Sequence, residues 1–503
     1  MAKQQLMSAG TGMALGGLAG GAALLLVLVG PVFTFAGLIA LGIGLLALTS
    51  LEFALVVLLA TVALLPFGAM PVKIALTPSL IDATLGLFLL VYLFQWMTGR
   101  RTELRTTPVH LVIGVFILVL LGAFIMGMPN APLTPGTLRR FVGLIGNILL
   151  AFVIVDVVRT RAMLRHIAAW WIVVGAAAAV IGIGLWFLND FTAESILNRL
   201  GRIGYPVGGV IRYREDGVSV LNERAIGTWI DPNAYGGFLM MVGAFAAPQL
   251  LAKRPVLQYR WTAYPFLGAI GLALFLSDSR GSMLGLAAGI GLVALLRYRR
   301  LIGLMAVVGV LVLLLPQTQG FIGRLIAGLS GADLETQMRF GEYQDALRLI
   351  ARYPVLGVGF SAPPDIDLYL GVASTYLTIA TNAGVVGLVA YFAALGSTFG
   401  FGYVQREAVV MDDGINDIWF GLLGGIVGAM FSSIFDHFYF NIEYQATSLI
   451  FWLYVGLFLA AISIANPPDP AKELGMPKVP HFERVERPQG VVQQPESMSA
   501  VGD

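Results

Sequence analysis

The sequence predicts an all-α, polytopic integral membrane bundle of about 12–14 transmembrane helices, with one large extracytoplasmic loop between late helices. Three observations lead there. Of 503 residues, 57% are hydrophobic and only 12% are charged, whereas a soluble domain carries about a quarter. The mean hydropathy is +0.83, and apolar runs of about 18 residues or more recur along the chain. Glycine is abundant, at 61 residues, as expected where helices approach closely in lipid. The absence of cysteine excludes disulfides, thiol nucleophiles and cysteine metal sites. The net charge of +2 is no nucleic-acid signal, because the basic residues sit in short loops.

The expected spans, in order, are 11–29, 31–48, 51–68, 80–97, 108–127, 138–157, 163–188, 232–252, 261–277, 281–296, 301–315, 374–401, 416–436 and 444–465. The first follows Met1-Ala2-Lys3 and reads as a retained helix rather than a cleaved signal peptide. With the N-terminus cytoplasmic, the inner loops hold Arg100, Arg101 and Arg105; Arg159, Arg161 and Arg165; Lys253, Arg254 and Arg260; and Arg297, Arg299 and Arg300. The outer segment Met128–Thr137 carries no charge and Ala69–Ser79 only Lys73. This is the positive-inside pattern, and it places both termini in the cytoplasm.

The organisation is then membrane helices over 1–188, an extracytoplasmic arginine-rich loop over 189–231 and central helices over 232–316. A large extracytoplasmic loop at 317–373 precedes the last helices at 374–465, and a disordered cytoplasmic tail covers 466–503. Within the large loop, Phe340, Tyr343, Leu347 and Ile350 recur at helical spacing, with Glu342, Asp345 and Arg348 among the other positions. That is an amphipathic helix along the outer membrane boundary, stopping at Pro354.

The most informative stretch runs from Glu223 to Gly236. Asp231 followed by Pro232 is a helix start, the carboxylate capping free amides and the proline fitting the first turn. Arginines gather on the same outer face, where none is expected by topology. Arg199, Arg202, Arg212, Arg214 and Arg224 lie in the loop before that helix, and Arg280 in a very short turn. Arg139 and Arg140 open another helix, and Arg339 stands in the large loop. The guanidinium fork suits phosphate oxygens, so the expected ligand is an anionic headgroup, a phosphate or diphosphate lipid. The competing reading pairs these arginines with Asp231, Asp278, Glu342 and lipid headgroups as anchors of helix ends; Arg202, Arg212 and Arg214 are expected to face solvent.

For acid–base chemistry the outer face offers His437, in Phe435-Asp436-His437-Phe438. His110 and His166 lie at cytoplasmic helix ends and His481 in the tail. His437 beside aromatic residues is also consistent with a simple interfacial belt. Asp365-Ile366-Asp367 has the Asp-x-Asp spacing of some sugar transferases, a triplet common by chance, so no metal or other cofactor is expected. No phosphate loop, zinc motif or serine elbow occurs.

The second half, roughly 220–460, resembles the O-antigen ligase and O-antigen/exopolysaccharide polymerase superfamily. The resemblance rests on Arg224-x-x-Gly227 before Pro232-Asn233, then Ser279-Arg280-Gly281-Ser282, then Arg339 and Pro354-Val-Leu-Gly357-Val-Gly359 in one large outer loop. Tyr376-Leu377, Gly384-Val-Val-Gly387-Leu and Trp452-Leu-x-x-Gly456-Leu follow in order. It implies a GT-C-like, inverting, metal-independent glycosyltransferase of the bacterial inner membrane, acting on its periplasmic side. The implied donor is an undecaprenyl-diphosphate-linked glycan and the acceptor a glycan or lipid A core, with a chain-length regulator as a further partner and no nucleic acid. It also implies that Arg224, Arg280 and Arg339 bind the diphosphate, to which Arg139 and Arg140 are added as candidates from their position on the same outer face. Ligases of the family carry a His-Asn pair shortly before Tyr-Leu. Here the segment reads Val372-Ala373-Ser374-Thr375-Tyr376-Leu377, which favours the polymerase branch and leaves Asp436, His437 or Glu342 as the base, or a mechanism without one in which a good leaving group lets proton loss come late. A ligase is the nearest alternative, and a transporter of lipid-linked glycan a more distant one.

Overall fold

The computed structural model describes residues 31–70, 77–205, 207, 223–315, 318–331, 334–361 and 372–467. The expected span 11–29, Arg212, Arg214, Asp365, Asp367 and His481 lie outside them. Among the described residues the regular structure is helical: α1 (Pro31–Ala47), α2 (Leu51–Leu64), α3 (Leu80–Met97), α4 (Val109–Gly127), α5 (Pro135–Val157), α6 (Arg161–Phe187) and the short α7 (Asp190–Arg199). Then come α8 (Pro232–Ala246), α9 (Ala263–Ser277), α10 (Arg280–Leu296), α11 (Arg300–Leu314), α12 (Gln319–Leu329) and α13 (Leu334–Arg352). The last are α14 (Thr375–Val404), α15 (Arg406–Met411), α16 (Asn416–Ser432) and α17 (Gln445–Ala465). The protein is an all-α polytopic membrane bundle.

Thirteen of the fourteen expected spans coincide with these helices. Six are long and apolar enough to cross a membrane unaided: α3, α4 with the turn after it, α5, α6, α14 and α17. Several expected boundaries need correction. The span 51–68 ends at Leu64, 232–252 becomes a 3-10 turn after Ala246, and 416–436 ends at Ser432. The last correction puts Asp436 and His437 in the loop before α17 rather than at a helix end. The amphipathic helix is α13, but Phe340 and Leu347 of its stripe are exposed, while Ala346 and Leu349 are buried.

α17 is the axis of the bundle, 89% buried over its apolar window, and it packs on α5 and α16. The Trp171 indole donates to the Tyr454 hydroxyl at 2.7 Å, which in turn donates to Met241 O at 3.0 Å. Polar links of this kind hold helices together where lipid removes the ordinary hydrophobic drive. α10 and α16 pack along Gly285-x-x-x-Gly289 and Gly424-x-x-x-Gly428, where a Cβ on Gly289 would overlap the Gly424 carbonyl. That close approach is why small residues recur there.

The ends of the bundle differ chemically. One end gathers the basic loops around Asp156, whose side chain is fully buried near the end of α5. Arg101 Nη1 meets its Oδ2 at 3.0 Å, the Arg105 amide donates to Oδ1 at 2.7 Å, and Arg159 pairs with it as well. The other end carries the N-termini of α3, α5, α8, α10, α14 and α17, and it holds the expected site residues.

Candidate active site

Asp231 does what its position before Pro232 predicts. Its Oδ1 accepts from the Asn233 and Ala234 amides at 2.7 and 3.0 Å, capping α8. The residue before it, Ile230, has a φ of 65°, a left-handed conformation unusual for a β-branched side chain. The second carboxylate oxygen, Oδ2, accepts from the Tyr444 hydroxyl at 3.0 Å. One residue thus closes the helix start and binds the N-cap of α17.

Arg224 is buried, 8% exposed. Its Nε donates to Ser277 O at 2.9 Å, and Nη2 donates to Asn233 Oδ1 at 2.7 Å and to Asp278 O at 3.4 Å. The extended segment before α8 is thereby stapled to the turn between α9 and α10. That turn is Asp278-Ser279, with Asp278 at a φ of 53° as the C-cap of α9, and Arg280 is the first residue of α10, as the sequence indicated. The Arg280 guanidinium lies against Gly328 of α12. Gly281 next to it faces Phe435, where a Cβ would come within 3.3 Å of the phenylalanine's own Cβ.

Arg339, in the second turn of α13, donates to the Phe435 carbonyl. The Tyr343 hydroxyl, one helical turn on, donates to Ala373 O at 3.0 Å and lies 3.4 Å from Ile434 O. Glu342 Oε2 accepts from the Ala373 amide at 2.9 Å. So α13 grips both the segment before α14 and the loop before α17. Those two segments also grip each other: the Thr375 amide donates to Ser433 O and Asp436 O at 2.9 and 2.8 Å, and its hydroxyl donates to Asp436 O at 3.0 Å. The loop carrying Asp436 and His437 therefore lies directly against residues 373–375. Arg224 holds the turn that precedes Arg280, and Gly281, next to Arg280, faces the Phe435 whose carbonyl accepts from Arg339.

The His437 side chain is 24% exposed, and its Nδ1 stands 3.6 Å from Asp436 Oδ1. Among the described residues that nitrogen has no hydrogen-bond partner; Asp436 Oδ1 instead accepts the His437 backbone amide at 3.0 Å. The imidazole packs edge-on to Tyr444, with ring centroids 5.5 Å apart. Burial holds its pKa below the usual 6.5; the charges of Asp231 and Glu342 oppose that, and Arg339 adds to it. The imidazole is thus a buried ring that disfavours its charged form, with Nδ1 enclosed and unpartnered among the described residues.

Arg139 and Arg140 meet partners that the sequence had not paired with them. Arg139 Nη1 lies 2.7 Å from Asp82 Oδ2, and Arg140 pairs with Glu443. Gln445 Nε2 donates to Asp82 Oδ1 at 2.6 Å, and Ser79 Oγ donates to Gln445 Oε1 at 3.1 Å. Arg199 and Arg202 are exposed, as expected for Arg202. Tyr444 and Gln445 did not stand out in the sequence, because their partners are far along the chain. The one available signal was the cluster Glu443-Tyr444-Gln445 at a helix start. Among the described residues, no group of three or more acidic or imidazole side chains has metal-site geometry.

Residues 265–392 match the family model described as O-antigen ligase. The match runs from α9 through α14 and includes Arg280, Arg339 and the segment before Tyr376. It bears out the resemblance to the O-antigen ligase and polymerase superfamily seen in the sequence. A comparison with curated proteins finds no match.

Proposed function

We propose that the chain is a membrane glycosyltransferase that polymerises undecaprenyl-diphosphate-linked repeat units into O-antigen or exopolysaccharide at the outer leaflet of the bacterial inner membrane. The family match supports a glycosyltransferase-like activity on a lipid-linked glycan. The observation that carries the reading further is the Phe435–His437 loop: the Phe435 carbonyl accepts from Arg339, and the Phe435 side chain faces Gly281, the residue next to Arg280. The basic loops gathered at the opposite end of the bundle support a periplasmic site and cytoplasmic termini.

In this reaction the acceptor hydroxyl attacks the anomeric carbon of the donor, and the bond to the diphosphate breaks with inversion. The hydroxyl proton goes to the base, and the departing lipid diphosphate carries the growing negative charge. Arg280 and Arg339 stabilise that charge as it develops, which is where a fixed electrostatic partner accelerates a reaction most. Arg224 positions Arg280 by locking the turn before it. His437 is the base: burial favours its neutral form, its Nδ1 has no partner among the described residues, its side chain is partly exposed, and its loop abuts residues 373–375, where a ligase carries the histidine missing here. Asp436 and Glu342 accept hydrogen bonds from backbone amides and act by orienting this loop. Arg139 and Arg140 are already paired with carboxylates and take a different role below.

The ligase reading has one observation in its favour, which is that the matching family model is described as O-antigen ligase. Purified protein in lipid, given a lipid-diphosphate-linked repeat unit and no other acceptor, separates the two. A ladder spaced by one repeat establishes the polymerase; product formed only after adding lipid A core establishes the ligase.

A further inference from the structure

A cavity of about 370 Å³ lies beside the candidate active site, between the turn after α2, the N-termini of α3 and α5, and the segment leading into α17. Its walls include Phe67, Trp229 and Tyr444 together with Arg139, Arg140, Glu443 and Gln445. That size is within the range of small-molecule sites. The charged side chains around it balance: Arg139 meets Asp82 and Arg140 meets Glu443. A diphosphate needs an excess of positive charge, which these pairs do not supply. A neutral polyhydroxylated ligand needs donors and acceptors in alternation and apolar ring faces. The Ser79–Gln445–Asp82–Arg139 network offers the first, and the aromatic side chains offer the second.

The cavity also has an address. Tyr444 lines it, its hydroxyl is bonded to Asp231, and its ring packs on His437. A sugar held here is separated from the imidazole by one aromatic side chain. We infer that this cavity is a saccharide subsite, which holds the acceptor glycan by a sugar set back from its reacting end, one aromatic side chain away from His437. The inference rests on the glycosyl-transfer reading for the word acceptor, but not for the binding itself.

The test uses the purified full chain in nanodiscs and two probes. One is a lipid-free oligosaccharide of one repeat, released by mild acid from the surface polysaccharide of the source cell. The other is methylene diphosphonate, a diphosphate mimic. The variant is the double exchange Arg140→Gln with Glu443→Gln, which keeps the net charge and alters an exposed rim pair. The oligosaccharide is expected to bind the native protein, and the variant to weaken it about tenfold, the scale of one charged hydrogen bond. Acceptor KM should rise in parallel, while inhibition by methylene diphosphonate stays constant. The subsite is overturned if the oligosaccharide does not bind a preparation that still makes polymer. It is equally overturned if methylene diphosphonate displaces the sugar and the variant weakens both probes, since the cavity then holds the donor headgroup. Oligosaccharide binding that responds to the variant, with no product from any donor, leaves the subsite standing and removes the glycosyl-transfer reading instead.

Discussion

Tyr444 donates its hydroxyl proton to Asp231 across 213 positions of sequence, at 3.0 Å. The same carboxylate caps α8, so the entry to α8 and the entry to α17 are held in register by one residue. Tyr444→Phe leaves Asp231 Oδ2 without this donor. A loss of about 1–2 kcal/mol in stability is expected, with a smaller fall in activity, because the ring on which His437 packs is kept. Thermal unfolding in lipid and initial rates, measured on one preparation, test the two parts separately.

Arg280→Ala should reduce product formation by about two to three orders of magnitude, the scale of removing one group that stabilises transition-state charge. Arg280→Lys should recover little, since a point charge lacks the guanidinium fork. Near-normal product from the alanine variant would remove Arg280 from the diphosphate site.

Arg224→Ala is expected to fail differently. Its guanidinium is buried and bonded to two backbone carbonyls and Asn233, and removing it costs on the order of 2–3 kcal/mol from hydrogen bonds to a charged group. Reduced yield and a lower unfolding temperature should accompany the lost activity. Arg280→Ala should show smaller changes in both, since Arg280 is half-buried rather than buried.

His437 sets the pH dependence. Its folded pKa is below 6.5 because the site is buried. As pH falls, the unfolded chain takes up the proton first, so this residue's contribution to stability is complete above about 6.5 and is lost as pH drops through the folded value. The base form persists over the same range, and the acid limb of the rate should lie below pH 6.5. Asp231→Asn keeps an oxygen for the cap but removes a charge that raises this pKa, so the limb should move further down. An acid limb unaltered in His437→Gln would mean that another group is the base.

Activity is expected to survive EDTA, because the proposed chemistry stabilises charge with arginine. Loss on chelation, restored by Mg²⁺ or Mn²⁺, would bring Asp365 and Asp367 back as ligands.

What could be read from the sequence was local chemistry. Asp231-Pro232 specifies a cap with its own neighbours, apolar runs specify spans, and Arg280 at a two-residue turn is visible because hydropathy breaks there. Long-range pairings were not legible. Nothing near Arg140 points to Glu443, and nothing near Asp82 points to Gln445, since each pair forms only when α3, α5 and α17 have assembled. The loop of Asp436 and His437 was misread as a helix end because Phe435, Phe438 and Phe440 extend the apolar composition past Ser432. The role of Gly384 was also hidden, because a glycine inside an apolar run reads as a packing residue.

Gly384 in fact breaks α14. It has a φ of 69° and a ψ of −173°, a region essentially restricted to glycine. The Val385 amide is thereby freed to donate to Pro354 O at 2.8 Å, while the Val358 amide reaches Thr381 O, also at 2.8 Å. On its other side the segment meets α4, where a Cβ on Gly127 would come within 2.5 Å of the Gly359 Cα. Residues 354–360 are therefore a backbone wedge fitted between two membrane helices, with no side chains at its tightest contacts. An inserted residue there would have to displace a whole helix, whereas a surface loop absorbs one at little cost. In this chain the outer loop is pinned at that point, and backbone contact fixes the distance from the end of α13 to the kink in α14.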